Sequence, residues 1–482
     1  MNLFAYINFI WEGSLLRGKG IIRNISYSFS ANLLSLIVSA IMVMVVPKFL
    51  SVDDYGMWQL FLFYFSYLGF FHFGWEDGIY LRYAGKEFDE LSPKKFSGQF
   101  YAIVVLEVAL AALISSMGKL FISDSQKQVA LICAIWLAPL VMFNSLCNFI
   151  LQITNQIKKY AKMVVLERLM LLAGVLIFLM ILGLNHFYYM YAAQVCAMVA
   201  MALCGFCFCR KLFVFPPDSL FLIWQEAKEN ISVGIKLMIA NIASMLIIGI
   251  VRYGISWGWD VATFGRVSLT LGISNFLMVF INSISVVFFP MIKRMDSSRQ
   301  AGIYLDMRNI LTAILFGGLL GYYPVRVLIS WWLPKYADSL IYMSVLFPVC
   351  VFEGKMSLLV NTYLKSMRKE ATMLRINILS VIVSAIVTFF TVGILHDLNI
   401  TVFSIVWLYA FRCFVAEYVI GQLLELQLNK KIIVDFVMCA VFILSGWLFD
   451  STLCLLVYGA AYIIYLLANQ KNIIQVVKKL KY

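Results

Sequence analysis

The chain has 482 residues, of which 63% are hydrophobic and 13% are charged, and its formal net charge is +13 at pH 7. Soluble domains average about 45–50% apolar and about 25% charged residues, so this composition excludes an ordinary soluble protein. Stretches without Asp, Glu, Lys, Arg or His occupy residues 24–47, 128–157, 267–292 and 376–395. Each is near or above the ~20 residues that a membrane-spanning helix needs. We therefore predict an all-α polytopic membrane protein.

In chain order, the apolar segments predict about fourteen transmembrane helices. Their approximate bounds are 24–46, 57–80, 97–118, 129–153, 163–183, 187–209, 231–252, 262–291, 309–331, 339–364, 374–395, 400–426, 432–449 and 451–470. The segment before residue 24 carries several charges and no long apolar run, so we expect no cleavable signal peptide.

The distribution of Lys and Arg between the predicted spans indicates the orientation of the chain. Connections on one side, together with both termini, hold 27 of these residues, whereas connections on the other side hold 6. Cytoplasmic loops carry the excess of positive charge, so both termini are expected in the cytoplasm. This asymmetry also accounts for the net charge without nucleic acid as a partner.

The two halves of the chain resemble each other at a few landmarks. Ile25-Ser26 and Ile231-Ser232 each open a span, and the aromatic–glycine pairs Tyr55-Gly56 and Phe264-Gly265 each mark the entry to the next one. Both copies start on the same side, which is typical of a parallel repeat. The resulting domain prediction is a cytoplasmic segment 1–23, a six-helix lobe 24–209, a linker 210–230, a second six-helix lobe 231–426, an extra helix pair 432–470 and a basic tail 471–482.

Polar side chains recur at helical spacing inside four predicted spans. They are Ser28, Asn32, Ser35 and Ser39; Asn144, Asn148, Gln152 and Asn155; Ser268, Asn275 and Asn282; and Glu353, Ser357 and Asn361. Each stripe alone is explained by hydrogen bonding between helices. Four stripes across both halves favour a shared polar interior, with Asn32, Ser35, Asn144, Asn148, Asn275, Asn282 and Asn361 as its expected lining.

Ionisable residues inside apolar spans are candidates for function, because each is costly in a membrane. The cations lie mainly in the second half, at Lys236, Arg266, Lys355 and Arg412, and would suit an anionic substrate. The alternative is structural ion pairing, such as Glu353 with Arg412 or Glu417 with Lys365. Glu107 and Glu353 are candidates for proton coupling, with a protonated structural carboxyl as the alternative for Glu107.

The sequence gives little support for metal binding, a cofactor or catalysis. The ten cysteines lie mostly in apolar segments and the three histidines are scattered, so we expect no metal site and no cofactor. No Walker A motif, nucleophile elbow or metal-binding histidine pair is present, and we therefore predict a transporter rather than an enzyme.

Three motifs are similar to those of a known family. They are PKFLSVDDYG at 47–56, FGWEDGIYLRY at 73–83 and FFPMI at 288–292. With the span count and the plan of two six-helix bundles plus a helix pair, the chain resembles the multidrug/oligosaccharidyl-lipid/polysaccharide (MOP) exporter superfamily, in its O-antigen and capsular polysaccharide flippase (Wzx-type) branch. In the second motif, Glu76 and Asp77 have no evident role beyond pairing with Arg82.

The resemblance implies two lobes in a V around a central cavity, in the bacterial cytoplasmic membrane. It implies flipping of an undecaprenyl-diphosphate-linked oligosaccharide by alternating access, for O-antigen, capsule or exopolysaccharide synthesis. A polysaccharide polymerase and a chain-length regulator are the protein partners that it suggests. By position, Arg266 and Arg23 match cavity cations of relatives, whereas Lys355 and Arg412 are inferred from burial and Lys236 from its place inside the seventh span. A multidrug exporter of the same fold, and a membrane glycosyltransferase or polymerase, remain as alternatives.

Overall fold

The computed structural model describes residues 18–274, 278, 297–449 and 451–481, and all regular secondary structure in them is helical. The α-helices in the first part of the chain are α1 Gly18–Phe49, α2 Val52–Phe65, α3 Trp75–Tyr83, α4 Pro93–Phe121, α5 Ser125–Ile135, α6 Ala138–Ile153, α7 Ile157–Leu176, α8 Phe187–Phe213, α9 Leu220–Gly258 and α10 Val261–Ser274. The later ones are α11 Ser297–Leu319, α12 Tyr322–Trp332, α13 Leu340–Leu346, α14 Val349–Lys355, α15 Asn361–Ser366, α16 Glu370–Thr388, α17 Leu398–Leu423, α18 Asn429–Leu448 and α19 Ser451–Lys481.

The prediction of an all-α membrane protein is confirmed. Within the described residues, eleven helices are long and apolar enough to cross a membrane, or twelve when the bent pair Pro334–Leu346 and Val349–Ser366 counts as one span. Two predicted spans are missing from this set. The span at 57–80 is divided into short helices, and the span at 262–291 continues beyond α10 into residues outside the described part.

The break in the span at 57–80 has a local cause. Phe73 and Gly74 have φ angles of 50° and 83°, which place both residues in the left-handed region just before α3. An α-helix cannot continue through this conformation, and glycine adopts it without the cost that a side chain adds. The chain therefore ends one helical segment and begins α3 with a new direction.

The chain divides into two compact units, which we describe separately. The N-terminal unit comprises Leu16–Ile242 and Asp260–Gly265, and the described part of the C-terminal unit comprises Ala243–Trp259 and residues from 297 onwards, with 266–274 and 278. The division falls inside α9. The segment 210–230, expected as a linker, is mostly helical, because α8 continues to Phe213 and α9 begins at Leu220.

The N-terminal unit has an apolar core formed by the inner faces of α3, α4, α6, α8 and α9. Its fully buried members include Ile79, Phe96, Ile150, Phe213 and Ala227. Burying such side chains gives about 1.5–3 kcal/mol each relative to exposure in water, although lipid replaces water around the outer faces. This core fixes the ends of α3, α4 and α9 against one another.

The C-terminal unit has an aromatic core that joins α12, α18 and α19. The ring of Phe442 lies edge-on to Tyr322 at 5.3 Å and to Tyr458 at 5.0 Å, and it stacks with Phe347 at 6.3 Å. Edge-to-face pairs are favourable beyond their buried area. The predicted extra helix pair, here α18 and α19, thus packs into the same core as the preceding helices.

Candidate functional site

The first family-like motif forms the start of α2. Ser51 is the N-cap, and its hydroxyl oxygen accepts a hydrogen bond of 3.0 Å from the backbone N–H of Asp54. Asp54 in turn accepts the N–H of Phe187 at 2.9 Å and lies 3.2 Å from Nδ1 of His186. Asp260, at the equivalent landmark of the repeat, precedes α10 as Ser51 precedes α2, and its carboxylate accepts the N–H of Thr263 at 2.8 Å. Both landmarks of the repeat therefore supply a capping side chain at a helix start.

The aromatic–glycine landmarks of the repeat meet in the N-terminal unit, where α2 crosses α10. A Cβ on Gly56 would overlap the carbonyl oxygen of Val261, and a Cβ on Gly265 would lie 2.7 Å from the Cα of Gly56. The rings of Phe63 and Phe264 meet edge-to-face at 5.7 Å nearby. Only glycine allows this backbone approach, so the crossing explains both glycines.

A second close crossing joins α3 to the first part of α9. A Cβ on Gly78 would overlap the backbone of Asn230, and one on Gly234 would overlap the carbonyl oxygen of Gly74. Trp75 on the same helix donates its indole N–H to Gln99 at 3.2 Å. The second family-like motif, at 73–83, therefore supplies the turn and the glycine that let α3 lie directly on α9.

Beside this crossing lies a group of charged and polar side chains that we call the Arg82 cluster. Its members are Tyr83, Lys95, Glu226, Glu229 and Asn230, with Arg82 at the centre. The guanidinium of Arg82 donates to Glu226 at 3.1 Å, to Asn230 at 2.6 Å and to Glu229. The expectation that Arg82 pairs with Glu76 or Asp77 is wrong, because α9 brings its own carboxylates to the arginine.

Two further contacts complete the Arg82 cluster. Lys95, in the first turn of α4, forms an ion pair with Glu226. The hydroxyl of Tyr83 donates to the same carboxylate at 3.1 Å. Burial and the charge of Glu226 raise the pKa of Tyr83 to about 12, so this hydroxyl remains a donor at neutral pH. The cluster thus connects the adjoining ends of α3, α4 and α9.

Two buried carboxyl groups of the N-terminal unit form no ion pair within the described residues. Glu76 on α3 and Glu107 on α4 each have 0% exposure, and within the described residues none of their carboxyl oxygens has a hydrogen-bond partner. Ionised carboxylates without partners are very unfavourable in such surroundings. Protonated side chains are therefore the form that this environment favours.

In the C-terminal unit, Arg412 connects four helices. Its Nε donates to Asn377 on α16 at 3.1 Å, one terminal nitrogen donates to Glu353 on α14 at 3.1 Å, and the other donates to Ser244 on α9 at 3.0 Å. Arg412 is 2% exposed. The ion pair with Glu353, which the sequence left open as an alternative, is present. These contacts join the helices around Arg412, and the predicted roles of Arg412 in substrate binding and of Glu353 in proton coupling stay predictions.

Lys355 belongs to a buried group of four charges, which we call the four-charge cluster. Its members are Arg308 on α11, Lys355 on α14, Glu417 on α17 and Asp435 on α18, and their side chains are at most 3% exposed. Arg308 binds Glu417 with two hydrogen bonds of 3.0 and 3.1 Å. Lys355 bonds to Glu417 at 2.6 Å and also to Asp435. Two cations face two carboxylates, so the charges balance.

This arrangement bears on two expectations. Lys355, predicted to bind substrate, is neutralised by carboxylates on two neighbouring helices, and its contact with substrate stays a prediction. Glu417 pairs with Arg308 and Lys355 rather than with Lys365. Arg308 lies just before the ninth predicted span, which starts at residue 309, whereas α11 begins at Ser297. The signal that sequence reasoning missed is Asp435, a lone acid inside an apolar span.

The remaining predicted cations differ in their surroundings. Arg266 is partly buried on α10, and Lys236 is exposed on α9. The described residues contain no ion pair of either one. Arg23 lies on α1, but its side chain is outside the described set, as are Asn275 and Asn282. Among the predicted cations whose side chains are described, Arg266 is therefore the one that is both partly buried and not neutralised by a described carboxylate.

The predicted polar lining is spread over several environments. Asn32 is exposed, and the hydroxyl of Ser35 bonds to the carbonyl of Ala31 on its own helix at 2.9 Å. Asn144 is buried and donates to the carbonyl of Met198 at 3.1 Å, which is a helix–helix bond. The side-chain oxygens of Asn148 and Asn361 are buried without a hydrogen-bond partner in the described part.

Comparison with known proteins relates this geometry to a family and a fold. A protein family described as polysaccharide biosynthesis protein matches residues 21–296, more than half of the chain. No curated protein sequence is matched. The structure is similar to a "Lipid II flippase MurJ, inward closed conformation", with a TM-score of 0.65, 12% identity, and coverage of 93% of this chain and 99% of that chain.

Multidrug transporters have the same architecture. The chain is similar to an inward-facing multidrug resistance MATE family transporter of the MOP superfamily, with a TM-score of 0.55, 12% identity and coverage of 86% of this chain and 98% of that chain. A MATE in complex with MaL6 matches with a TM-score of 0.53, 14% identity and coverage of 85% and 97%. At such low identity these likenesses concern the fold. The fold that the sequence resemblance implied is confirmed.

Proposed function

Because the chain belongs to the polysaccharide biosynthesis protein family, we propose that it translocates undecaprenyl-diphosphate-linked oligosaccharides across the bacterial cytoplasmic membrane. The headgroup of such a lipid cannot cross hydrocarbon unaided, since each unpaired polar group costs several kcal/mol there. A flippase offers the headgroup a polar, cationic path by alternating access, while the prenyl chain stays in lipid. The likeness to a lipid II flippase over nearly the whole of both chains supports this proposal.

The observation that carries the proposal is that Arg266 is partly buried and has no carboxylate partner among the described residues. A partly buried arginine without a described carboxylate partner is costly in an apolar helix, and a bound anion would offset that cost. The planar fork of guanidinium binds phosphate oxygens with two hydrogen bonds. We assign Arg266 to the diphosphate of the substrate, with Lys236 and Arg23 as further cationic contacts. Lys355 and Arg412 hold helices together, and Glu353 orients Arg412.

The test is translocation in proteoliposomes. A fluorescent sugar linked to a short prenyl chain by a diphosphate is placed in one leaflet, and its protection from an impermeant quencher is followed. Protein-dependent protection, lost in Arg266→Ala and retained in Lys119→Ala, supports the proposal, because Lys119 is an exposed cation at the far end of α4. Equal protection with Arg266→Ala and with the unmodified chain contradicts the role of the arginine.

A second candidate function is export of cationic drugs by the same fold. Glu76 and Glu107, buried and without an ion pair in the described residues, are the observation that favours it, since a cation bound beside them would stabilise their ionised forms. The same vesicles therefore also receive a cationic dye. Dye accumulation without movement of the lipid-linked sugar would replace the flippase with a drug exporter.

A further inference from the structure

We propose that the Arg82 cluster is a latch that holds α3 and α4 closed against α9, and that the diphosphate of the substrate opens this latch by competing for its cations. The proposal rests on the proposed function and adds to it the place where the anionic group is first bound. The charge count places these helix ends on the cytoplasmic side, from which a lipid-linked precursor would enter.

The first argument is steric. Where α3 lies on α9, the backbones at Gly78 and Asn230 leave no space for a single methyl group. Closely packed contacts of this kind are either made or broken, with little range between. Separation of the two helices at this end therefore behaves as a two-state event that nearby charges can bias.

The second argument is electrostatic. The cations Arg82 and Lys95 face the carboxylates of Glu226 and Glu229, so the charges balance. The side chain of Arg82 is 25% exposed and that of Lys95 is 45% exposed. Ion pairs that are this accessible to solvent add only modestly to the stability of the helix contact, because water competes for both partners. They hold the helix ends together and remain within reach of a stronger anion.

The third argument concerns the ligand. A diphosphate diester carries two negative charges, which equals the charge of the two carboxylates that it would replace. Its oxygens suit the bidentate fork of Arg82 and the point charge of Lys95. Exchange of Glu226 and Glu229 for the diphosphate thus leaves the cations neutralised while it releases α9. The carboxylates act as internal stand-ins for the substrate.

Opening has a measurable consequence, because the face of α9 beneath the cluster is apolar and covered. Ala227 is 1% exposed and packs in the core with Ile79 and Phe96. A cysteine at position 227 should react slowly with an impermeant maleimide when the latch is closed and faster when it opens. In all samples the two exposed native cysteines, Cys196 and Cys207, are replaced by serine.

The experiment compares Ala227→Cys labelling in the full-length chain with and without a short-chain prenyl diphosphate. We expect the diphosphate to accelerate labelling about fivefold, the ratio that loss of about 1 kcal/mol of pairing gives. Arg82→Gln should label fast without ligand and respond no further. The matched control is Lys94→Gln, which removes the exposed neighbour of Lys95 and should behave like the parent.

A pair of glycine variants tests the same opening without changing a charge, so the test does not depend on correct folding of Arg82→Gln. Gly78→Ala should also label fast, because its Cβ forces α3 away from Asn230, whereas Gly69→Ala meets nothing within 4 Å and should label slowly. Inorganic pyrophosphate and phosphatidylglycerol vesicles separate the sources of anionic chemistry. Pyrophosphate should accelerate labelling and the vesicles alone should not.

Two results would overturn the latch. One is unchanged labelling on addition of prenyl diphosphate to the parent chain, and the other is equal acceleration by phosphatidylglycerol alone, which would assign the cluster to bulk lipid. Both are independent of transport. A chain that labels as expected but moves no lipid-linked sugar would contradict the proposed function and leave the latch supported. A chain that moves the sugar but whose labelling does not respond to the diphosphate would contradict the latch and leave the proposed function supported.

Discussion

The four-charge cluster gives a sharp prediction about stability, because each of its two cations contacts both of its carboxylates. Arg308 binds Glu417 through two hydrogen bonds of 3.0 and 3.1 Å and also contacts Asp435, and Lys355 contacts Glu417 and Asp435. Removal of one member of a buried pair leaves a charge without compensation and costs about 3–5 kcal/mol. Lys355→Met and Asp435→Leu should each destabilise the protein by this amount.

The double variant should be much less costly than either single one. It removes one charge of each sign, leaves Arg308 and Glu417 as a complete bidentate pair, and replaces Lys355 and Asp435 by apolar side chains. Such replacements are often neutral or stabilising, so we expect a loss of at most about 1–2 kcal/mol. The coupling between the two sites is then several kcal/mol, which is large for neighbouring residues.

The assay is unfolding of the purified protein in detergent, with a denaturing surfactant as titrant and tryptophan fluorescence as readout. Lys430→Met, an exposed lysine at the start of α18, is the control and should change the free energy of unfolding by no more than about 0.5 kcal/mol. Losses in the double variant equal to the sum of the single losses would refute the reasoning, since the two side chains would then act independently.

Further predictions concern the crossing of α2 with α10, the coupling acid and Arg412. Gly56→Ala should cost about 1–3 kcal/mol in the same unfolding assay, because its Cβ overlaps a backbone oxygen, whereas Gly69→Ala should be nearly neutral. Glu107→Gln should abolish any response of transport to a pH gradient, since the amide cannot exchange a proton, and the exposed Glu370→Gln should retain it; an unaltered response in Glu107→Gln would exclude this residue from coupling. Arg412→Ala should lower the thermal stability of the purified protein as well as transport, because three side chains lose their donor; loss of transport at full stability would instead indicate direct contact with substrate.

The sequence predicted most helices correctly, because length and hydropathy alone determine whether a segment can span a bilayer. The second span was the exception. Its composition is apolar throughout, but two consecutive residues with positive φ divide it. Phe73-Gly74 contains the glycine that such a turn favours, yet glycine is also common within transmembrane helices. Composition therefore does not separate the two outcomes.

Charge pairing was the less predictable part of the site. Glu353 and Arg412 lie in the tenth and twelfth predicted spans, which both have few charges, so their pair was one of a few options. Arg308 and Glu417 are 109 positions apart, and their contact depends on which helix faces which. Asp435 and Lys355 are likewise brought together by packing across three helices. Spacing along one helix carries no information about such contacts.

The crossing at Gly56 and Gly265 has a consequence for the origin of the chain. The two glycines occupy equivalent landmarks of the internal repeat, and both lie where α2 and α10 cross: a Cβ on Gly265 would meet the backbone of Gly56, and a Cβ on Gly56 would meet the backbone of Val261. Contact between equivalent positions is what two copies of one polypeptide make where they meet on a two-fold axis. The crossing therefore resembles a homodimer interface that gene fusion has enclosed within a single chain. Stability losses in both Gly56→Ala and Gly265→Ala would agree with that ancestry, and a loss in only one of them would speak against it.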